Sequence, residues 1–235
     1  IIGRTDWDLA CVRQINPKAE YHFCNETLRQ PFYQGAWRYD GCRKHRIFAS
    51  SCAYPVKGFH YLLEAFGQIV KTYPDATLAV PGKSFLTASK LRRTNYQKYL
   101  ADLAARYGVE DKIEFLGSLS AEEMKQAFLD ANVFVLPSTI ENSPNSLGEA
   151  MLLGVPCVAA DVGGVTTMLR HGLEGEVYPS AAPYMLAFYV ETVFARGEAA
   201  EAMGAVARAH AGVTHDPEKN LADLLEIYKS LATEG

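Results

Sequence analysis

Two glutamates lie on either side of a candidate helix start in the stretch ENSPNSLGEAMLLGVP, residues 141–156. Glu149 lies one turn after Asn145 on the same helix face, where a carboxylate accepts hydrogen bonds well from a vicinal diol such as a ribose. Glu141, just outside the helix, could hold a second set of hydroxyls. The alternative is structural: Glu149 forms a salt bridge on a solvated face, and Glu141 caps the loop.

The turn between the two acids predicts an anion site. Ser143 is a plausible N-cap and Pro144 fits the first helical position. Free backbone N–H groups then point at whatever lies above the helix start, and such a start favours phosphate. These amides belong to Asn145, Ser146 and Leu147.

Glycines mark two further loops and the same helix. Lys57-Gly58 falls between a predicted strand and a long helix, where a lysine can contact a phosphate and the glycine gives its backbone room. Gly163-Gly164 makes a tight turn whose amides line the same crevice, or else it is an ordinary strand-to-helix turn. Gly148 costs roughly 1 kcal/mol in a helix, which predicts that a ligand or a neighbouring backbone approaches closely there.

Six short apolar runs alternate with helical segments from about Arg46 onwards. The runs are RIFASS, ATLAVPG, IEFLGS, VFVLPS, PCVAAD and GEVYPS. Because they are continuously apolar, they are typical of strands covered on both faces, and the alternation predicts an α/β fold with a doubly wound parallel sheet. Ligands of such sheets lie at the carboxyl ends of the strands, where the loops with Lys57 and Glu141 fall. Helices are predicted over 58–73, 89–108 and 120–131, the last with a Ser120 cap and Glu123 in a capping box.

The two ends of the chain differ from this pattern. Residues 1–44 read as strand, helix and strand followed by a Gly- and Arg-rich connector (residues 26–44), and residues 216–233 read as one amphipathic helix. The apolar face of that helix carries Leu221, Leu224, Leu225, Tyr228 and Leu231. We therefore divide the chain into 1–44, 45–215 and 216–235.

Composition excludes several classes of function. The chain has 235 residues, 49% hydrophobic and 21% charged, without an apolar run near the ~20 residues of a membrane span. Five cysteines form no CxxC pair, so neither a metal site nor a disulfide framework is expected and a reducing cytosol is the default. A net charge of −4 disfavours nucleic acid as a partner. Neither GxSxG nor a Ser-His-Asp order supports hydrolase chemistry.

The motifs together resemble a known family. Glu141-x7-Glu149 followed by AMLLGVPCVAADVGGV, with YPVKGFHYLLEA upstream, is similar to the C-terminal half of a retaining glycosyltransferase of the GT-B fold, within family 4 (the group 1 glycosyltransferases). The similarity runs from about Ile47 to Tyr178. It implies a Rossmann-like domain over 45–215, a remnant of an N-terminal domain with its linker over 1–44, and a crossover helix over 216–235.

The resemblance also assigns roles to the site residues. It implies that Glu149 holds the ribose of a nucleoside diphosphate sugar, that Glu141 lies by the donor sugar, and that Lys57 neutralises the departing diphosphate. Many relatives carry Gly-Arg a few residues before the lysine, whereas this chain has Ser51 and Cys52 there. We expect Lys57, Ser51 and backbone amides to bind the diphosphate instead.

The expected reaction is sugar transfer with retention to a saccharide or lipid-linked acceptor in bacterial polysaccharide synthesis. No cofactor and no metal are implied, since Lys57 and the helix dipole can neutralise the diphosphate, and UDP is the nucleotide expected from its frequency among donors. The acceptor site would lie mostly on a missing N-terminal GT-B domain, so this chain is expected to bind donor in the cytoplasm but to turn over little; membrane association stays open. The alternatives are a sugar-nucleotide epimerase and a non-catalytic GT-B-like binding or assembly module.

Overall fold

The chain begins with a small strand–helix–strand unit, as its sequence predicts. The computed structural model describes residues 1–89, 91 and 93–233. Strands β1 (Ile2–Gly3) and β2 (His22–Phe23) pair in parallel, and helix α1 (Asp6–Ile15) joins them. Thr5 caps α1, because its side chain accepts a hydrogen bond from the Asp8 amide.

Six parallel strands form the main sheet, and all six predicted runs are confirmed. They are β3 (Arg46–Phe48), β4 (Thr77–Val80), β5 (Ile113–Phe115), β6 (Val133–Leu136), β7 (Cys157–Asp161) and β8 (Glu176–Pro179). The spatial order is β5-β4-β3-β6-β7-β8. Strand order reverses between β3 and β6, and this switch point is where open α/β sheets bind ligands.

Helices cover both faces of the sheet, which confirms the doubly wound α/β fold. They are α2 (Phe59–Thr72), α3 (Asn95–Tyr107), α4 (Ala121–Leu129), α5 (Asn145–Leu153), α6 (Val165–Met168), α7 (Pro183–Arg196), α8 (Ala200–Thr214) and α9 (Pro217–Thr233). Successive strand residues pack into two hydrophobic cores, one on each face of the sheet. Ile47 packs in the core with α2, α3 and α7, whereas Phe48 packs in the core with α4, α5, α8 and the connector.

One helix start differs from the prediction. The helix expected over 89–108 begins at Asn95, because Thr94 and Gln97 form a capping box there. Lys90 and Arg92, which the predicted helix includes, lie outside the described residues. The end at Gly108 is as predicted, with this glycine in the left-handed region at φ 63°.

The last helix is amphipathic, and much of its apolar face is exposed. Leu221, Leu225, Tyr228 and Leu231 are between 47% and 58% exposed. Ile227 is buried instead, and residues 234 and 235 lie outside the described residues. None of the helices in the described parts of the chain has the length and hydrophobicity needed to cross a lipid bilayer.

Candidate functional site

The loops that follow β3 and β6 lie against each other at the switch point. The Thr139 amide donates to the Val56 carbonyl at 2.8 Å. Gly58 has φ 65°, and a Cβ there would lie 1.7 Å from the Pro137 carbonyl oxygen. The Gly58 amide already donates to Pro55 at 2.9 Å. The space that this glycine provides is therefore filled by Pro137, and the Gly58 amide is not free to bind a phosphate.

Lys57 and Glu141 meet across these two loops. Lys57 Nζ donates to Glu141 Oε1 at 2.6 Å, and Ser138 Oγ donates to the same oxygen at 2.8 Å. The side chains of Lys57 and Glu141 are 36% and 12% exposed. Within the described residues, Glu141 Oε2 accepts no hydrogen bond. A cation and a partly free carboxylate thus lie side by side at the carboxyl ends of the two central strands, β3 and β6.

The Gly163-Gly164 turn positions Glu141. Gly163 has φ 53°, and a Cβ there would lie 1.7 Å from the Glu141 carbonyl oxygen. The Gly164 amide donates to that carbonyl at 3.2 Å, and a Cβ on Gly164 would lie 2.2 Å from the Asn142 carbonyl oxygen. The Gly164 amide is thus bonded to the Glu141 loop and is not free to bind a ligand.

Helix α5 starts one residue later than its sequence indicates. Pro144 is the N-cap, with ψ 114° and no side-chain cap bond. The prediction that Ser143 caps the helix is therefore wrong: the extended backbone at Pro144 moves the start onward, and Ser143 Oγ instead contacts Met168 Sδ at 3.5 Å. The helix begins with Asn145, the residue expected to follow the first helical position.

Two backbone amides at this helix start are free. Among the described residues, the amides of Asn145 and Ser146 donate to no other group, as predicted. The Leu147 amide donates to the Pro144 carbonyl at 3.0 Å, so the prediction of a third free amide is wrong. The tight first turn accounts for this difference.

Glu149 is buried, with a relative exposure of 2%, and is paired. Its two oxygens accept from Arg29 Nε at 2.6 Å and Arg29 Nη2 at 2.7 Å. The salt bridge that the structural alternative foresaw is present, but it lies in a cleft and not on a solvated face. This hydrogen bonding raises the pKa of Arg29.

Two neighbouring cavities open beside these groups. The first, of about 350 Å³, is lined by Arg29, Ser50, Met124, Phe128, Asn145, Ser146 and Glu149. The second, of about 430 Å³, shares Ser50 and Met124 with it and also contacts Ser51 and Cys52. Burial raises the pKa of Cys52 to about 11, which keeps its thiol protonated. Lys57 and Glu141 are absent from both linings.

The structure therefore brings the predicted site residues into two groups. Glu149, Asn145 and Ser146 share the first cavity. Lys57 and Glu141 form a pair on the loops that precede α2 and α5. In the described parts of the chain, no cluster of three His, Cys, Asp or Glu side chains could hold a metal ion.

A sequence profile of the family "Glycosyl transferases group 1" matches residues 43–210. The chain belongs to this family. The D-inositol 3-phosphate glycosyltransferase of Corynebacterium urealyticum is 29% identical over 178 residues, which make up 76% of this chain and 41% of that protein. The chain spans between 30% and 41% of the length of the first curated relatives that it matches.

Solved structures of glycosyltransferase relatives share the fold. Sucrose-phosphate synthase from Thermosynechococcus elongatus superposes with a TM-score of 0.83 at 20% identity, over 100% of this chain and 58% of that one. HepE of Anabaena, solved with UDP-glucose, superposes with a TM-score of 0.81 at 21% identity, over 99% of this chain and 63% of that one. The predicted GT-B type of C-terminal domain is thus confirmed.

Sequence reasoning did not find Arg29 as a residue of this candidate site. Arg29 lies in the connector, 120 positions before the glutamate to which it is bonded. The Arg-rich composition of the connector was visible, but no local spacing indicated which carboxylate this arginine would reach.

Proposed function

We propose that this chain is the donor-binding part of a retaining glycosyltransferase, which transfers a sugar from a nucleoside diphosphate sugar to a saccharide or lipid-linked acceptor. The observation that carries the proposal is the arrangement around the start of α5. Along the chain, two free amides lie between Glu141, which is paired with Lys57, and Glu149, which shares a cavity with both amide residues. Amides at a helix start bind phosphate, and carboxylates bind hydroxyls.

Each group has a distinct task in this proposal. Glu149 accepts the ribose hydroxyls, the amides of Asn145 and Ser146 bind the diphosphate, and Lys57 neutralises the charge that develops as the diphosphate leaves. Glu141 lies by the sugar, where its carboxylate stabilises an oxocarbenium-like centre. Catalysis of this kind depends on preorganised charges, and in this proposal it uses neither a general base nor a metal ion. Ser51 would bind the diphosphate with these groups, and the second cavity, which Ser51 lines, would take the rest of the nucleotide.

The ends of the chain support the division into three parts. We propose that residues 1–44 belong with an acceptor-side domain and its linker, and that 216–235 form a crossover helix onto it. The exposed Leu221, Leu225 and Tyr228 supply an apolar face for such a contact. The isolated chain would then bind donor in the cytoplasm but turn it over little. The role in bacterial polysaccharide synthesis rests on the family resemblance, and UDP is favoured by the HepE complex.

A thermal-shift titration tests the proposal. UDP, GDP, ADP and TDP are each added with and without Mg²⁺, and a ligand at about 100 times its Kd should add about 2.7 kcal/mol to the free energy of unfolding. A shift with one base, independent of Mg²⁺ and lost in Glu149→Gln, is the expected result. Glu201→Gln is the matched control, because it removes another arginine-paired carboxylate outside the cavities. No shift with any nucleotide would refute donor binding by this chain.

A further inference from the structure

The connector around Arg29 is fixed against the body of the protein. Leu28 is 6% exposed and Phe32 is fully buried. The Leu28 amide donates to Tyr33 Oη at 2.9 Å, and Tyr33 Oη donates to the His215 carbonyl at 2.6 Å. Arg29 therefore extends from a segment that is anchored on both sides.

The absence of a side chain at Gly148 lets this segment lie directly on α5. A Cβ at Gly148 would lie 2.6 Å from His215 Nε2 and 2.8 Å from Leu28 Cδ1. The residues that lie close to Gly148 are thus Leu28 in the connector and His215, which follows the end of α8. Glu149, the next residue in the helix, comes within reach of Arg29 as a result.

The contact between Arg29 and Glu149 fixes the orientation of the Glu149 carboxylate and also compensates its charge. Two parallel N–H···O bonds hold the carboxylate plane, and the Arg29 guanidinium carbon lies 4.8 Å from the centroid of the Phe32 ring. The two bonds together use one lone pair on each oxygen, so the second lone pair of each oxygen can accept another donor. The Glu149 side chain is 3% exposed, and a carboxylate removed from water in this way needs a compensating cation.

We infer that Arg29 is a positioning residue: it fixes the Glu149 carboxylate in the orientation that accepts the vicinal diol of a ribonucleotide, so that selection of ribose over 2′-deoxyribose depends on the connector. This inference rests on the proposed function, in which Glu149 binds the ribose. Arg29 itself need not touch the nucleotide. A lysine at this position would supply charge but could not hold the carboxylate plane.

The test compares nucleotides that differ by one hydroxyl. Isothermal titration measures the Kd of UDP, GDP and ADP and of their 2′-deoxy counterparts with the whole chain. The native chain should prefer the ribonucleotide by about tenfold or more, since a hydrogen bond to a charged group is lost in the deoxy form. In Arg29→Met the ratio of the two Kd values should fall toward one, and in Arg29→Lys it should fall at least severalfold.

A matched variant separates positioning from general damage to the connector. Arg38 Nη1 bonds Glu201 at 2.9 Å in the same connector, so Arg38→Met removes a similar pair and should leave the ratio unchanged. Should Arg29→Met fail to fold, Arg29→Lys carries the test. A purely structural role would weaken ribo- and deoxyribonucleotides equally.

The outcomes distinguish this inference from the function on which it rests. An unchanged ratio in Arg29→Lys, with the native chain discriminating, overturns the inference and leaves donor binding intact. Tighter binding of both nucleotides by Arg29→Met also overturns it, because Arg29 would then be obstructing the site. If the native chain binds none of the six nucleotides, the proposed function fails and the inference fails with it.

Discussion

Replacement of Gly163 by alanine should destabilise the protein through one identifiable collision. An alanine at φ 53° occupies the left-handed region, which costs roughly 1–2 kcal/mol, partly offset by the lower entropy of the unfolded chain. The added Cβ would also lie 1.7 Å from the Glu141 carbonyl oxygen, a distance that real Cβ atoms essentially never show. The carbonyl must therefore move, and its hydrogen bond from Gly164 is strained or lost.

The collision can be separated from the backbone strain. Gly108 has φ 63° with nothing within 4 Å of an added Cβ, so Gly108→Ala measures the strain alone. Overpacking adds about 1–3 kcal/mol, and the lost hydrogen bond adds about 1 kcal/mol. We expect Gly163→Ala to be less stable than Gly108→Ala by roughly 2–4 kcal/mol, from the sum of those two contributions.

Urea unfolding followed by circular dichroism gives the two free energies of unfolding under the same conditions. Because Glu141 is displaced only in Gly163→Ala, nucleotide affinity should fall in that variant and stay unchanged in Gly108→Ala. Equal stability of the two variants would refute the close packing of the Gly163 turn on Glu141. If the two variants bound nucleotide with equal affinity but differed in stability, Glu141 would not be part of the donor site.

Three further results are expected. Lys57→Ala should weaken nucleoside diphosphate binding about ten- to a hundredfold in isothermal titration, because it removes a charge-assisted hydrogen bond, whereas the exposed Lys71→Ala should not; equal affinities would assign the diphosphate to other groups. Burial lowers the pKa of His215, so the unfolded chain binds a proton more readily. The free energy of unfolding should hence decrease as pH falls below about 6.5, and urea titrations of His215→Gln should show a weaker dependence. Ser143→Ala should leave thermal stability nearly unchanged, while loss of the true cap in Ser120→Ala should cost about 1 kcal/mol; a similar loss at Ser143 would contradict the observed helix start.

The sheet and most helices were predictable because their signals are local. A strand covered on both faces must be apolar at successive positions, as in Val133–Leu136, and this pattern needs no knowledge of the neighbours. The capping box at Ser120 and Glu123 is equally local, since its bonds span three residues. The Thr94 and Gln97 capping box that starts α3 is local as well, but the prediction of a helix from residue 89 overlooked it.

The site was predictable only in part, because its contacts are long-range. Gly58 indicated room for the backbone and Gly163 a tight turn, but the groups that lie against them, Pro137 and Glu141, depend on how the strands are ordered. The pairing of Arg29 with Glu149 depends on the path of the connector over α5. The error at Ser143 has a different origin: serine favours an N-cap in general, but here the extended Pro144 backbone sets the helix start.

The packing around Gly148 has a consequence for how this family member can change over evolution. Residue 148 is enclosed by side chains from two distant parts of the chain, Leu28 in the connector and His215 at the end of α8. A larger residue at 148 fits only where the residues at 28 and 215 are smaller. Across relatives that keep this connector path, the three positions should therefore vary together in size, and the path should shift where that compensation is missing.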